Sequence, residues 1–215
     1  MHDSAPGGTA TGQPHDSGPS FVERRKAALR HEIAREAVRL FTEQGVTRTT
    51  GEHIAQAVGI SARTLWRHFP SKESCVRPLL TAGLDSAVGA LRNWPADVRL
   101  LDFVRGALDS GDLPPAEPAV LDLVRMTRTE PNLRLVWLQA HDDALPVLAD
   151  VLARRSGRDA DDLRVRVHAA TLNGALRAGA EEFALRRAGA PDAPATELAR
   201  CLYAALGAAS EGLPY

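Results

Sequence analysis

The sequence predicts an all-α protein in which a small helix-turn-helix unit precedes a larger helical body. Apolar residues recur at helical spacing from about residue 22 onward, Gly, Pro and Ser mark the predicted helix ends, and no convincing strand or hairpin pattern appears. The chain has 215 residues, 44% of them hydrophobic, which is enough for a substantial core.

The first twenty residues, MHDSAPGGTATGQPHDSGPS, are rich in Gly, Pro, Ser and Thr. They contain almost no apolar side chain to bury, so residues 1–20 are predicted to form a disordered tail. The sequence has no signal-peptide pattern and no run of about 18 apolar residues. We therefore expect a cytoplasmic protein without a membrane partner.

The sequence contains none of the common signatures of an enzyme or a metal site. Cys75 and Cys201 fall in apolar helical patterns without CxxC spacing, which predicts two small buried side chains. No P-loop, GxSxG, HExxH or Gly-rich dinucleotide loop is present, and His141-Asp142-Asp143 lacks metal-ligand spacing. No catalytic residue, metal or cofactor is therefore predicted.

Charge is distributed unevenly along the chain. Residues 21–80 contain eleven Lys or Arg and six Asp or Glu, a net charge of +5, whereas residues 1–20 carry −2 and residues 81–215 carry −4. A basic unit joined to an acidic remainder is expected of a phosphate-binding domain attached to a body with another role.

The first helix is predicted from about Val22 to Gln44, because Gly45 is a natural residue just past a helix terminus. One face of this helix is apolar. That face, on which two following short helices can pack, consists of Leu29, Ile33, Ala37, Leu40 and Phe41.

Residues 49–69, TTGEHIAQAVGISARTLWRHF, predict two short helices joined by a tight turn. The first runs from Thr50 to about Val58, and the second begins at Ser61, whose hydroxyl can cap it. Gly59 suits the turn because glycine tolerates positive φ. This arrangement is a helix-turn-helix, whose second helix enters the major groove of DNA.

The start of the first short helix is a predicted phosphate site. Thr49 and Glu52 have the spacing of a capping box. Thr49 or Thr50 therefore ends the turn with a hydroxyl and free backbone N–H groups, an arrangement that can hold a phosphate oxygen.

The second short helix is predicted to be buried on one side and basic on the other. Leu65 and Phe69 form the inward side, and Arg63 in the first turn can read guanine O6 and N7. Trp66 as a core aromatic and His68 as a surface histidine are the alternatives to phosphate contacts at those positions. The predicted DNA-binding set is Arg48, Thr49, Thr50, Ser61, Ala62, Arg63, Thr64, Trp66, Arg67, His68 and Lys72.

The next helix is predicted to connect the basic unit to the body. Pro70 ends the preceding helix, Ser71 caps the new one, and the helical pattern continues to about Arg92, with Pro78 able to kink it. Because it begins at the DNA-binding unit, this helix could transmit a shift between the two parts.

Residues from about Arg25 to Val76 resemble the N-terminal domain of the TetR family of bacterial transcriptional regulators. The resemblance lies in the pattern T-x-x-x-I-A-x-x-x-G-x-S-x-x-T-L-W-x-H-F-x-S-K-E, which begins at Thr50 and has many fixed positions. The family usually has Tyr where this chain has Trp66, and that Tyr typically reaches a phosphate through its hydroxyl. Trp66 also has a hydrogen-bond donor, its indole N–H, but this donor points in a different direction from the Tyr hydroxyl.

The resemblance implies a helix-turn-helix domain at residues 21–70 and, at residues 71–215, an all-helical domain that forms a homodimer and encloses an effector pocket. The sequence after Trp94 agrees with an all-helical fold. Helices are predicted at about 96–109, 116–129, 132–155, 159–187 and 195–209.

The last two predicted helices carry apolar stripes typical of a helix–helix interface. Paired across a two-fold axis they would form a four-helix bundle, although the same stripes could instead pack within one chain. The resemblance favours the dimer. The predicted interface is Val165, Ala169, Leu172, Leu176, Leu198, Leu202 and Ala205.

The predicted effector pocket combines apolar bulk with a few polar groups, as ligand pockets do. Its scarcity of charge predicts a small, largely apolar effector. The pocket set is Phe103, Leu123, Met126, Thr127, Trp137, Leu138, His141 and Leu145.

The sequence thus predicts a regulator, most simply a repressor, that an effector releases from a palindromic operator in double-stranded DNA. Two alternatives remain. One is a protein-interaction module that has the helix-turn-helix shape without DNA binding, and the other, less favoured, is a helical enzyme that uses the cavity of the body.

Overall fold

A computed structural model describes residues 20–110, 117–189 and 195–211, and this part of the chain contains helices without a strand. The all-α prediction is confirmed. The disordered tail predicted for residues 1–20 lies, apart from Ser20, outside the described residues. The helices are α1 Phe21–Gln44, α2 Gly51–Ala57, α3 Ala62–His68, α4 Arg77–Arg92, α5 Leu100–Ser110, α6 Pro118–Met126, α7 Pro131–Ser156, α8 Leu163–Gly189 and α9 Ala195–Glu211.

Local capping chemistry explains where several helices begin and end. Ser20 and Glu23 form a reciprocal capping box at the start of α1. Gly45 follows α1 with φ 85°, as predicted, and Gly157 follows α7 in the left-handed conformation, which glycine adopts readily. No helix in the described ranges is both long and apolar enough to cross a bilayer.

The segment before α4 differs from the continuous helix predicted from Ser71. Ser71 Oγ accepts a hydrogen bond from Ser74 N at 3.1 Å, and a short 3₁₀ turn at Glu73–Val76 comes before α4. Pro78 therefore lies in the first turn of α4 and leaves the helix unkinked, because its missing N–H is not needed there.

The three helices of the N-terminal unit pack around a fully buried apolar centre. Ile33 of α1, Ile54 of α2 and Leu65 of α3 are all completely buried, and Phe41 is 2% exposed. The predicted apolar face of α1 and the predicted inward side of α3 are both confirmed, with Leu29 and Leu40 packed at the edge of the same core.

This core continues without a break into the body. Leu79 and Leu80 of α4, Leu123 of α6 and Trp137 of α7 belong to the same buried cluster as the helix-turn-helix centre. The sequence predicts a domain boundary after residue 70, and the apolar core passes across that position.

A second buried cluster lies further along the body. It joins α4, α7, α8 and α9 and is separate from the cluster that contains the helix-turn-helix. Its fully enclosed members include Val88, Leu148, Val165, Ala169 and Leu206.

Arg155 of α7 fixes the connection between α4 and α5 to this second cluster. Its guanidinium donates to the carbonyl oxygens of Pro95 and Val98 at 2.6 Å and Ala96 at 3.0 Å. Its central carbon lies 3.5 Å from the centre of the Trp94 ring, a cation–π contact.

Candidate nucleic-acid interface and effector cavity

The N-terminus of α2 is capped by Thr50, one residue later than the capping box predicted at Thr49 and Glu52. The Thr50 hydroxyl accepts from His53 N at 3.2 Å, and His53 Nδ1 accepts from Thr50 N at 3.4 Å. Thr50 is exposed, so its backbone and hydroxyl remain near a surface that could receive a phosphate oxygen.

Thr49 cannot fulfil the predicted role of a phosphate contact through its side chain. Its side chain is completely buried, and its hydroxyl donates to Gly45 O at 2.9 Å and accepts from Gln44 Nε2 at 3.1 Å. The preference of a buried hydroxyl for backbone partners explains the correction. Thr49 holds the turn between α1 and α2.

Lys72 supports the same turn from the opposite side. Its ammonium donates to Val46 O at 2.6 Å and Thr49 O at 2.8 Å. Two of its three N–H donors are therefore used within the chain. The role predicted for it as a phosphate ligand stays a prediction, and the structure adds a positioning role.

Helix α3 presents the basic outer side that the sequence predicts. Ser61 caps it by accepting from Thr64 N at 3.1 Å, and the two hydroxyl oxygens are 2.9 Å apart. Arg63 and Arg67 are exposed and make no hydrogen bond or ion pair with the part of the chain that the structure describes. Their guanidinium groups are available to DNA.

The C-terminal end of α3 is held by Arg30 of α1. The guanidinium donates to His68 O at 3.2 Å and lies 4.6 Å from the centre of the Phe69 ring. Burial, followed by the charges of Arg67, Arg30 and Lys26, lowers the pKa of the His68 imidazole below its ordinary value. The neutral form of the His68 imidazole is therefore favoured relative to a free imidazole.

Two further members of the predicted set flank these helices. Arg48 is exposed and donates from Nε to Gln44 O at 2.6 Å, which leaves its other donors free to turn outward. Ala62 is half-buried in the first turn of α3.

Trp66 lies partly on the surface, 41% exposed, with its ring packed over Gly51 at the start of α2. A Cβ atom placed on Gly51 would lie 2.0 Å from Cζ2 and 2.3 Å from Cη2 of Trp66. The indole therefore depends on a residue without a side chain at position 51. No pattern in the sequence connects these two residues, and only the packing of α3 on α2 brings them together.

A cavity of about 560 Å³ lies in the body beneath the helix-turn-helix. Its size falls within the range of small-molecule sites, and most of its wall is apolar. His31 of α1 reaches its wall from the DNA-binding unit. The lining residues from the other helices include Leu79, Leu80, Gly83, Leu84, Ala87, Val120, Leu121, Val124, Trp137, His141, Leu176, Ala180, Leu198 and Leu202.

Two of the eight predicted pocket residues, Trp137 and His141, lie in this wall. Leu123 and Thr127 are buried in the core, and Phe103 stacks on Trp94 with ring centres 6.5 Å apart. The remaining three are half-buried outside the wall: Met126, Leu138 and Leu145. Instead, the side of α4 that carries small residues lines the cavity, because small side chains leave the space that the cavity occupies.

The predicted dimer-interface residues fall into two groups, and only the three buried ones are unavailable to a partner. Val165, Ala169 and Leu172 are buried in the second cluster of the same chain, at 2%, 1% and 6% exposure. Three others, Leu176, Leu198 and Leu202, line the cavity, and Ala205 is half-buried against the second cluster. The apolar stripes are used within the chain because α8 packs closely on α9, where Gly179 lies against the Leu202 backbone.

A different side of α8 is exposed and apolar. Leu163 is 73% exposed and Val167 is 52% exposed. They begin a helical stripe of mostly small or apolar residues that continues through Ala170, Thr171, Gly174 and Ala178 and reaches Leu185 beyond Glu181 and Glu182. We call Leu163, Val167, Ala170, Thr171, Gly174, Ala178 and Leu185 the α8 stripe.

Neither cysteine has the setting of a reactive thiol. Cys75 is completely buried, and burial raises the pKa of its thiol to about 12. Cys201 is 5% exposed, and its pKa is also raised by burial. The described residues contain no cluster of His, Cys, Asp and Glu that could hold a metal ion.

The packing of Trp66 on Gly51 predicts that the two positions depend on each other. Gly51→Ala should displace the indole and destabilise the fold by about 1–3 kcal/mol, the usual effect of overpacking. Gly51→Ala combined with Trp66→Tyr should recover most of that loss, because Tyr lacks the atoms nearest the new Cβ. Thermal unfolding of both single variants and the double variant measures the coupling. Strictly additive losses would contradict the proposed contact.

Comparison with known families agrees with this geometry. Residues 33–79 match the model described as bacterial regulatory proteins of the tetR family, and residues 99–214 match the MftR C-terminal domain. The two matches together cover the helix-turn-helix and most of the body.

Individual relatives extend the match over most of the chain. The chain is 31% identical over 193 residues to the HTH-type transcriptional regulator TcmR of Streptomyces glaucescens, covering 86% of this chain and 85% of TcmR. It is 28% identical over 172 residues to the putative mycofactocin biosynthesis transcriptional regulator MftR of Mycobacterium tuberculosis, covering 79% and 85%.

Among solved structures, FadR of Thermus thermophilus, a TetR-family repressor in complex with lauroyl-CoA, has the same fold. Its TM-score is 0.51 at 23% identity, with 86% of this chain and 95% of that chain covered. The chain belongs to the TetR family of bacterial transcriptional regulators.

Proposed function

We propose that this transcriptional regulator is a homodimeric repressor that a small, largely apolar effector releases from a palindromic operator. One observation carries the DNA-binding part of the proposal. Helix α3 is fixed by the fully buried Leu65, while Arg63 and Arg67 extend from it without a partner among the described residues. A rigid helix with unpaired cations on its outer side suits the major groove.

Within this proposal Arg63 reads bases and the surrounding groups position the helix. Arg63 lies in the first turn of α3, where side chains of recognition helices reach base edges. Arg67, Thr50, Trp66 and His68 supply phosphate contacts, which set register without reading sequence. Lys72 acts partly by fixing the turn before α2.

The α8 stripe is proposed as the surface that pairs with a second copy of the chain. Palindromic operators match two-fold symmetric proteins, which makes a second copy the natural partner. An exposed row of small and apolar residues lets two helices approach closely, whereas Val165, Ala169 and Leu172 of the first predicted set are already buried in one chain.

The effector is proposed to control DNA binding through residues that line the cavity and also belong to the apolar core of the helix-turn-helix. Leu79 and Leu80 belong to both, and His31 reaches the cavity from α1. A ligand that alters these walls would favour one placement of α1 to α3 over another, and it acts only through its different affinity for the two placements. The complex of Thermus thermophilus FadR with lauroyl-CoA supports a ligand role for this fold.

Two further relatives are named as repressors, which supports a repressor role for this chain. The chain is similar to the HTH-type transcriptional repressors KstR2 of Rhodococcus jostii, at 42% identity over 67 residues, and AcnR of Corynebacterium efficiens, at 28% over 137 residues. A regulator of this kind acts on DNA in the cytoplasm and needs no catalytic group. The enzyme and the DNA-free interaction module are therefore the weaker alternatives.

Separate roles for Arg63 and Arg67 can be tested on duplexes from around the protein's own gene. Arg63→Ala should reduce the discrimination between operator and altered operator by about 1–3 kcal/mol. Arg67→Ala should weaken binding to all duplexes and lower the salt dependence by about one charge. Titrations at several salt concentrations measure both effects.

Arg154→Ala is the matched control, since Arg154 is an exposed arginine on α7. It should leave affinity and salt dependence unchanged. If the unaltered protein retards no duplex from that region at low salt, the interaction module becomes the better account.

The proposed dimer surface predicts a separate result. Val167→Glu places a charge in the α8 stripe and should convert the dimer to monomers, because an unpaired charge is costly to bury. Leu135→Glu is the control, since Leu135 is an equally apolar, 65% exposed residue on α7. Analytical ultracentrifugation measures both masses. A dimer that survives Val167→Glu at micromolar concentration would exclude the stripe as the interface.

A further inference from the structure

The cavity wall contains one buried histidine, His141, whose side chain is hydrogen-bonded to Asn173 and so joins α7 to α8. His141 is 2% exposed and Asn173 is 8% exposed. The distance between His141 Nδ1 and Asn173 Oδ1 is 2.7 Å, and Asn173 Nδ2 donates to the backbone oxygen of His141 at 3.0 Å.

These two contacts determine which ring nitrogen carries the proton. The backbone oxygen of His141 can only accept, so the nitrogen of the Asn173 side chain must face it. The side-chain oxygen of Asn173 therefore faces the ring and accepts from Nδ1–H. Burial lowers the pKa of His141 below its ordinary value; the charge of Arg177 adds to this shift, and the Asn173 hydrogen bond and the charge of Glu181 oppose it. In the neutral ring Nε2 is then a hydrogen-bond acceptor.

His141 Nε2 has no hydrogen-bond partner among the described residues. It is the one buried side-chain nitrogen or oxygen atom without a hydrogen bond in the part of the chain that the structure describes. A buried acceptor left unpaired destabilises a fold, and its presence calls for a physical explanation. A ligand in the adjoining cavity that donates to Nε2 would supply the missing bond.

The neighbouring donor in the wall is already used. Trp137 stands edge-on to the His141 ring, with centres 4.1 Å apart, and its indole N–H donates to Glu181 Oε1 at 3.0 Å. Trp137 therefore offers the cavity an apolar ring. Of the other polar wall residues, Glu117 is paired with Arg35, and His31 and Ser86 are not buried.

We infer that the effector is an apolar molecule with one hydroxyl or N–H donor, and that it gives this donor to His141 Nε2. The inference rests on the proposed function, because it assigns a ligand class to the same cavity. A carboxylate is disfavoured at this position, since it would place an anion against the lone pair of a neutral ring. Because neighbouring atoms cover Nε2, the inference includes a movement of the cavity wall that exposes this atom to the ligand.

Three probes of matched size test the ligand class: 4-phenylphenol, its methyl ether 4-methoxybiphenyl, and biphenyl-4-carboxylate. Calorimetric titration of the full-length protein should give an affinity for the phenol roughly tenfold higher than for the ether, the value of one neutral hydrogen bond to a buried acceptor. The carboxylate should bind more weakly than the phenol by at least as much. The phenol should also release the operator duplex at lower concentration than the ether does.

His141→Phe keeps an aromatic ring and removes the acceptor. In this variant the phenol and the ether should bind with about equal affinity. Continued binding of the ether would show that the cavity is still formed. Asn173→Leu, which frees the ring to exchange its proton between the two nitrogens, should reduce the preference without abolishing it.

The possible outcomes distinguish a failure of the proposed ligand class from a failure of the proposed effector cavity. Equal affinity for phenol and ether in the unaltered protein, tighter binding of the carboxylate, or an unchanged preference in His141→Phe would overturn the proposed ligand class while leaving an effector cavity in place. Binding of none of the three probes, or binding without any effect on the operator complex, would overturn the proposed effector cavity and the inference with it.

Discussion

The structure depends on one continuous apolar core that joins the helix-turn-helix to the cavity wall. Leu65 anchors α3 in this core, and Leu79, Leu80 and Trp137 take part in both the core and the cavity. Closely packed interiors transmit strain, because they have few voids that could absorb a change in shape. In the proposed mechanism, a shift of the cavity wall therefore reaches α3 through this packed core as well as through α4.

The polar groups in this assembly are arranged around that core. Thr49 and Lys72 fix the turn before α2 through backbone carbonyls, and Arg30 holds the end of α3 by its last carbonyl and the Phe69 ring. These contacts leave Arg63 and Arg67 as the unpaired cations of α3. The buried His141 is the opposite case, a polar group in the cavity wall whose second ring nitrogen has no partner within residues 20–110, 117–189 and 195–211. The exposed arginines thus face the proposed DNA ligand, and the buried His141 nitrogen is assigned to the proposed effector.

The sequence predicted the fold and most of the helix-turn-helix because both depend on local patterns. Helical spacing, Gly45, Gly157 and the cap at Ser61 determine element bounds over short distances. The cavity and the dimer surface are harder to predict from sequence, since an apolar stripe does not show which neighbour covers it. Leu172 and Leu176 belong to one predicted stripe, yet one is buried in the core and the other lines the cavity. The pairing of Trp66 with Gly51 depends on the crossing of two helices, which residue spacing does not encode.

The most direct test of the account is the distance between the two helix-turn-helix units of one dimer. A spin label at Ala57→Cys, an exposed position on α2, reports this distance, because the buried Cys75 and Cys201 react slowly. With the operator duplex bound, pulsed electron resonance should give one narrow distance distribution, set by half-sites about 34–36 Å apart. With 4-phenylphenol bound and DNA absent, the distribution should centre on a different distance. The same distance in both complexes would contradict the claim that the cavity controls the placement of the recognition helices.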